Sequence, residues 1–273
     1  MAQINVRNLD VFYRDQGQGQ AVILGHSSTG SSGQWRSLID SMSENYRMLA
    51  PDHIGYGRTP NYQGLYDLIE HETAIIQSIL QLVSEPVHMV GHSYGGSILA
   101  RVAARDPERV RSLTLIEPTL FFLLEQFDRG AEHAEIKAVA DRVVKYVGDG
   151  NPREAARGFI AYWVGDGAFD KMNTRVQDGI VDGMTKLALE WPEAFKPSGA
   201  ELDRLAAINA PIQLLRGTKT TQAAREVVDL LATVWPDAAC IEIENAGHMS
   251  PVTHAALVNP HIENFIRNAG SFS

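Results

Sequence analysis

Residues 87–96 read Val87-His88-Met89-Val90-Gly91-His92-Ser93-Tyr94-Gly95-Gly96, and the organisation of the chain can be worked out from this stretch. Residues 87–90 have the composition of a short buried strand, and residues 95–104 have that of a helix. Between them lies Gly-x-Ser-x-Gly, a tight strand-to-helix turn. A serine on such a turn is lifted clear of the sheet, and glycine on either side leaves room where a side chain would collide. The helix start behind Ser93 also offers backbone N–H groups and the positive end of a dipole to a developing negative charge. Ser93 is therefore the candidate nucleophile.

Working outward, residues 21–24 and 46–52 read as strands on the N-terminal side, with a pair of short antiparallel strands around Asn8-Leu9-Asp10 before them. Residues 71–83 carry apolar side chains at helical spacing, and residues 113–116 read as the next buried strand. Strand and helix in alternation predict an α/β fold with a mainly parallel sheet covered on both faces. The alternation stops after Pro118. From 120 to 202 the periodicity is helical, and strands resume at 212–215 and 241–243, ahead of a helix over 259–268. The expected division is a core of 1–119 and 203–273 interrupted by a helical lid, 120–202.

A formal net charge of −9 argues against nucleic acid or an anionic membrane surface as partner, because both demand a basic face. The single cysteine, Cys240, excludes an internal disulfide, and its setting in Ala239-Cys240-Ile241 predicts a small buried hydrophobe. Neither a signal-like apolar segment nor a membrane-length run is present, so a cytoplasmic chain is expected. No dinucleotide loop or metal-ligand cluster is legible, and neither cofactor nor metal is expected. The oligomeric state is not readable.

The turn at 91–95, the loop Gly25-His26-Ser27-Ser28-Thr29-Gly30, the turn Asp52-His53-Ile54-Gly55-Tyr56-Gly57 and the late Ala246-Gly247-His248-Met249 together resemble the α/β-hydrolase superfamily. The resemblance covers about 1–118 and 205–270. It implies an eight-stranded sheet and a Ser–acid–His order along the chain. Members that dehalogenate or open epoxides carry aspartate where Ser93 stands, so serine points to acyl transfer. The resemblance makes His248 the base. His254 is the nearby rival, read as structural or pocket-lining, and His92 is read as packing.

The acid is irregular. Superfamily members usually carry it in Gly-x-x-Asp after the strand at 212–215, whereas this chain has Gly217-Thr218-Lys219-Thr220. Threonine cannot balance an imidazolium charge. In some members the acid instead ends the strand after the nucleophile helix, which here reads Leu115-Ile116-Glu117-Pro118. Glu117 is the expected acid and Thr220 a bystander. The alternatives are that Glu117 caps a loop or pairs with an arginine, or that no acid completes the set. The family's oxyanion loop maps onto His26-Ser27-Ser28, with Ser28 and Tyr94 supplying the N–H donors. The segment 120–202 is rich in aromatic residues, including Phe159 and Trp191, which either wall a pocket or pack the lid. Phe121, Phe122 and Trp163 are taken as substrate-binding.

The expected activity is serine-based cleavage of an ester or lactone of a small to medium apolar substrate through an acyl-enzyme. Hydrolysis of a carbon–carbon bond in a diketone uses the same three residues and is the nearest alternative. A non-catalytic receptor retaining the fold is the alternative from another class.

Overall fold

The computed structural model describes residues 1–61, 67–197 and 201–269. The chain runs β1 (Ala2–Val6), β2 (Leu9–Gln16), β3 (Gln20–Gly25), α1 (Arg36–Met42), β4 (Tyr46–Pro51), α2 (Leu68–Leu80), β5 (Val87–His92), α3 (Tyr94–Arg105) and β6 (Val110–Ile116). Helices α4 (Phe122–Gln126), α5 (Gly130–Gly148), α6 (Pro152–Val164), α7 (Ala168–Lys171), α8 (Thr174–Ala194) and α9 (Glu201–Ala206) follow. The chain then returns through β7 (Ile212–Gly217), α10 (Gln222–Val234), β8 (Ala239–Ile243), α11 (Ser250–Thr253) and α12 (Ala255–Ala269). This is the expected α/β-hydrolase fold.

The eight strands form one sheet in the order β1-β2-β4-β3-β5-β6-β7-β8, with β2 antiparallel to both its neighbours and all later pairings parallel. The central strands read as near-continuous apolar runs because both of their faces are covered. Along β3, Val22 and Leu24 pack with Trp35, Leu38, Ile262 and Ile266, the side covered by α1 and α12. Ile23 points the other way and joins Ile76, Ile79, Ile98 and Val102 of α2 and α3. Met89 and Val90 of β5 divide between the two faces in the same manner, as the two-residue period of a strand requires. Each fully buried Leu or Ile of these layers stabilises the fold by roughly 1.5–3 kcal/mol.

Element bounds depart from the sequence reading where local hydrogen bonding decides them. Helix α2 begins three residues before the expected 71, because the Asp67 side chain caps it by accepting from Glu70 N. Helix α9 crosses the expected boundary at 202/203, and its Glu201 pairs with Arg101 of α3 at 2.9 Å. Among the described residues of 120–202 there is no strand, and no described helix is long and apolar enough to cross a membrane. Cys240 is exposed, not buried. It lies on β8, the edge strand of the sheet, where only Ile243 is buried.

Candidate active site

Ser93 sits at the junction of β5 and α3 with φ 54° and ψ −120°, a left-handed conformation that costs a non-glycine residue energy. Neighbouring backbone holds it there. Ser93 N donates to Ile116 O at 2.9 Å, and Gly95 N donates to His26 O at 3.1 Å. A Cβ on Gly95 would lie 2.3 Å from the Gly25 carbonyl carbon, so no side chain is admissible where the turn meets the 25–30 loop. Glu117, just past β6, is also left-handed at φ 44°, and its N–H donates to Leu215 O at 3.2 Å. Two residues of the candidate site thus occupy strained backbone that the flanking strands over-determine.

These turns bring Ser93, His248 and Glu117 into one line. His248 Nε2 lies 3.0 Å from Ser93 Oγ, and His248 Nδ1 lies 2.6 Å from Glu117 Oε2. All three side chains are buried. An ionised carboxylate only accepts, so Nδ1 carries the proton and donates it to Glu117, which leaves Nε2 free to accept from the serine hydroxyl. That tautomer is the one in which an imidazole can take a proton from an attacking serine. The carboxylate accepts from two further donors. Gly217 N donates to Oε1 at 2.8 Å and Thr220 Oγ1 donates to Oε2 at 2.6 Å. Thr220 is therefore no bystander. It stands at the position that the superfamily resemblance gives to an acid and donates to the Glu117 carboxylate instead, because β6 and β7 are adjacent and end side by side.

His92 and His254 separate cleanly. His92 Nε2 donates to the His248 backbone oxygen at 2.9 Å, which pins the loop that carries His248. Burial, and then the nearby His248, push the His92 pKa well below its usual value and keep it neutral beside the site. His254 is half-buried at the end of α11, against Thr253 Oγ1 at 2.8 Å.

A cavity opens on Ser93 and is also lined by Ser28, Tyr94 and Thr119. Phe159 and Trp163 of α6 and Leu187, Trp191 and Ala194 of α8 form its apolar wall. Trp163 stacks on the His248 ring at a centroid distance of 3.8 Å and 26°. Ser28 is in place at the cavity, whereas Ser27 N is engaged by Gln34 Oε1 at 3.2 Å. Phe121 and Phe122 correct the sequence reading, because neither lines the cavity. The chain turns after Pro118, Thr119 takes the lining position, and both rings sink into the core. Phe121 lies one layer back, stacked on Trp191 at 6.0 Å.

A charged cluster beside the cavity has no counterpart among the residues expected from the sequence. Glu190 of α8 lines it, accepts from Ser28 Oγ at 2.5 Å and pairs with Lys186 one turn earlier. Lys186 Nζ pairs with Glu72 Oε1 of α2 at 2.9 Å and lies over the Tyr56 and Tyr94 rings at 4.4 and 4.1 Å. Glu72 Oε2 contacts His53 Nδ1 at 2.8 Å. Burial alone would raise the Glu72 pKa, but Lys186 and His53 outweigh it and hold Glu72 at about 2. On a helix, Lys and Glu four residues apart ordinarily form a solvated pair. Only tertiary packing turns this pair inward.

The α/β hydrolase fold family model matches residues 20–255. The pimeloyl-[acyl-carrier protein] methyl ester esterase of Methylococcus capsulatus is 26% identical over 96% of this chain and all of its own length. The 2-hydroxy-6-oxo-2,4-heptadienoate hydrolase of Pseudomonas putida is 34% identical over 106 residues, 37% of this chain and 38% of its own. The chain spans only 36–40% of the length of three such curated relatives. Among solved structures, the enol-lactonase of Burkholderia xenovorans LB400 superposes with a TM-score of 0.77 at 18% identity, over 97% of this chain and 100% of that one. With the fold, the strand order and the family match in agreement, the chain belongs to the α/β-hydrolase fold family.

Proposed function

We propose that this protein is a serine hydrolase that cleaves an ester or lactone of a small, largely apolar substrate through an acyl-enzyme intermediate. The observation that carries the reading is the unbroken line from Ser93 Oγ to His248 Nε2 at 3.0 Å and from His248 Nδ1 to Glu117 Oε2 at 2.6 Å. In this reading Ser93 Oγ attacks the substrate carbonyl while His248 Nε2 takes its proton. Glu117 holds the imidazole in the working tautomer and balances the imidazolium that forms. The Ser28 and Tyr94 N–H groups receive the oxyanion. His248 returns the proton to the leaving oxygen, and a water activated by the same nitrogen then releases the acid. The segment between β6 and β7 serves as a lid whose Trp163 and Trp191 keep bulk water from the ester.

The cavity lining supports a neutral substrate. None of the described lining residues is cationic, so the lining offers no counter-charge to a substrate bearing its own carboxylate. That weighs against the carbon–carbon hydrolase alternative suggested by the heptadienoate hydrolase relative. Steady-state hydrolysis of p-nitrophenyl esters from acetate to octanoate, set beside lactones and a vinylogous diketone acid, tests the reading. Turnover is expected on short esters or lactones, and turnover of the diketone alone would reverse the assignment.

A further inference from the structure

We infer that Glu190 and Lys186 of α8 form a clamp that positions both donors of the oxyanion hole, so that the hole is complete only when α8 is seated on the core. The inference rests on the reading of Ser93 as nucleophile and of Ser28 and Tyr94 as oxyanion donors. Three observations carry it. Glu190 Oε2 accepts from Ser28 Oγ at 2.5 Å, which ties one donor residue to α8. Lys186 Nζ lies 4.1 Å from the centroid of the Tyr94 ring, a cation–π contact that ties the other donor residue to α8. Lys186 and Glu190 are ion-paired to each other, four residues apart on one helix.

The clamp is anchored from below. Glu72 of α2 pairs with Lys186 at 2.9 Å and contacts His53 at 2.8 Å. His53 N donates to His26 Nε2 at 3.0 Å, and His26 belongs to the same loop as Ser28. The 26–28 loop is therefore gripped from both sides, through His26 by the core and through Ser28 by α8. A lysine and two glutamates buried to 4% exposure or less are costly to keep, and moving α8 away would part Lys186 from Glu72 and Glu190 from Ser28 and deprive the buried Glu72 of its ammonium partner. A surface pair would hold α8 equally poorly in any position, whereas a buried one favours a single seat. Glu190 is a positioning residue in this account. It acts through the Ser28 backbone, whose N–H needs a fixed direction to meet an oxyanion.

The test uses the full chain with Ser28→Ala and Glu190→Gln. Ser28→Ala keeps the amide donor and removes only the hydroxyl that Glu190 holds. Loss of a whole oxyanion donor costs about 10²–10³ in turnover, and loss of its orientation alone is expected to cost about tenfold. Both variants should lower kcat with little change in KM. Both should weaken binding of a trifluoromethyl ketone, which forms a tetrahedral oxyanion adduct, by the same factor as kcat. The double variant should be no worse than either single one, because both remove the same contact. Wild-type kcat and ketone affinity in Ser28→Ala would overturn the clamp, and so would additive losses in the double variant. Ser28→Ala keeps the test decisive should Glu190→Gln fold poorly. Ser93→Ala separates the two ideas. If it remains active, the underlying nucleophile assignment fails; if it is dead while Ser28→Ala is normal, only the clamp fails.

Discussion

Replacing Glu117 with glutamine perturbs the site in a direction the geometry dictates. Gly217 N can only donate, and it holds Oε1 at 2.8 Å. The glutamine carbonyl must therefore face Gly217, because the opposite orientation sets two donors against each other in a buried place, at a cost of about 1–3 kcal/mol. The amide NH₂ then replaces Oε2, facing Thr220 Oγ1 and His248 Nδ1 across the two former 2.6 Å contacts. Nδ1 is obliged to accept, the imidazole proton moves to Nε2, and the nitrogen 3.0 Å from Ser93 Oγ no longer takes the serine's proton. The corresponding change in a serine protease costs about 10⁴ in turnover. Here we expect a loss of about 10²–10⁴, or roughly 3–5 kcal/mol of barrier. The assay is steady-state hydrolysis of p-nitrophenyl acetate across pH, with the thermal midpoint measured in parallel. A properly folded Glu117→Gln with kcat within threefold of the parent would refute this reasoning.

Thr220→Val removes one donor to the carboxylate and should cost two- to tenfold in kcat, the worth of one hydrogen bond; an unchanged rate would make the 2.6 Å contact irrelevant to turnover. Trp163→Ala removes the ring stacked on His248 and part of the cavity wall, so kcat should fall and acyl-chain preference should shift to longer chains; an unchanged preference would remove Trp163 from the pocket. Stability should fall on acidification. Burial first, and then His53 beside His26, Arg111 beside His88 and His248 beside His92, hold these three histidines below their ordinary 6.5, so the unfolded chain gains protons first as the pH drops beneath that value. For His88 alone, a fall from 6.5 to about 4 corresponds to roughly 3 kcal/mol lost by pH 4. Urea unfolding at pH 7.5, 6 and 5 should show a declining midpoint, shallower in His88→Gln, and a flat profile would contradict it.

Local signals carried the fold and the line of three residues. The 87–96 stretch marks its own strand, turn and helix, and the runs around Val22 and Met89 are apolar because both sheet faces are covered. Glu117 was legible for a negative reason, since Thr220 vacates the usual acid position and a carboxylate at a strand end must find a partner. Features set by tertiary contact were not legible. Phe121 and Phe122 are near Glu117 in sequence, yet the turn after Pro118 sends them into the core and gives the cavity to Thr119. Cys240 has the neighbours of a buried strand residue, and only the strand order places it on an exposed edge. Lys186 and Glu190 have surface spacing, and nothing short of the packing of α8 against Glu72 and Ser28 turns them inward.

The proposed chemistry begins with Ser93 as the nucleophile. Incubation with a fluorophosphonate followed by peptide mass spectrometry reads this directly, because the reagent leaves a covalent phosphonyl group on an activated serine. A single adduct on Ser93 is expected, with complete loss of ester hydrolysis in step with labelling, and neither labelling nor hydrolysis in Ser93→Ala. An adduct on another residue, or hydrolysis that survives in Ser93→Ala, would contradict it.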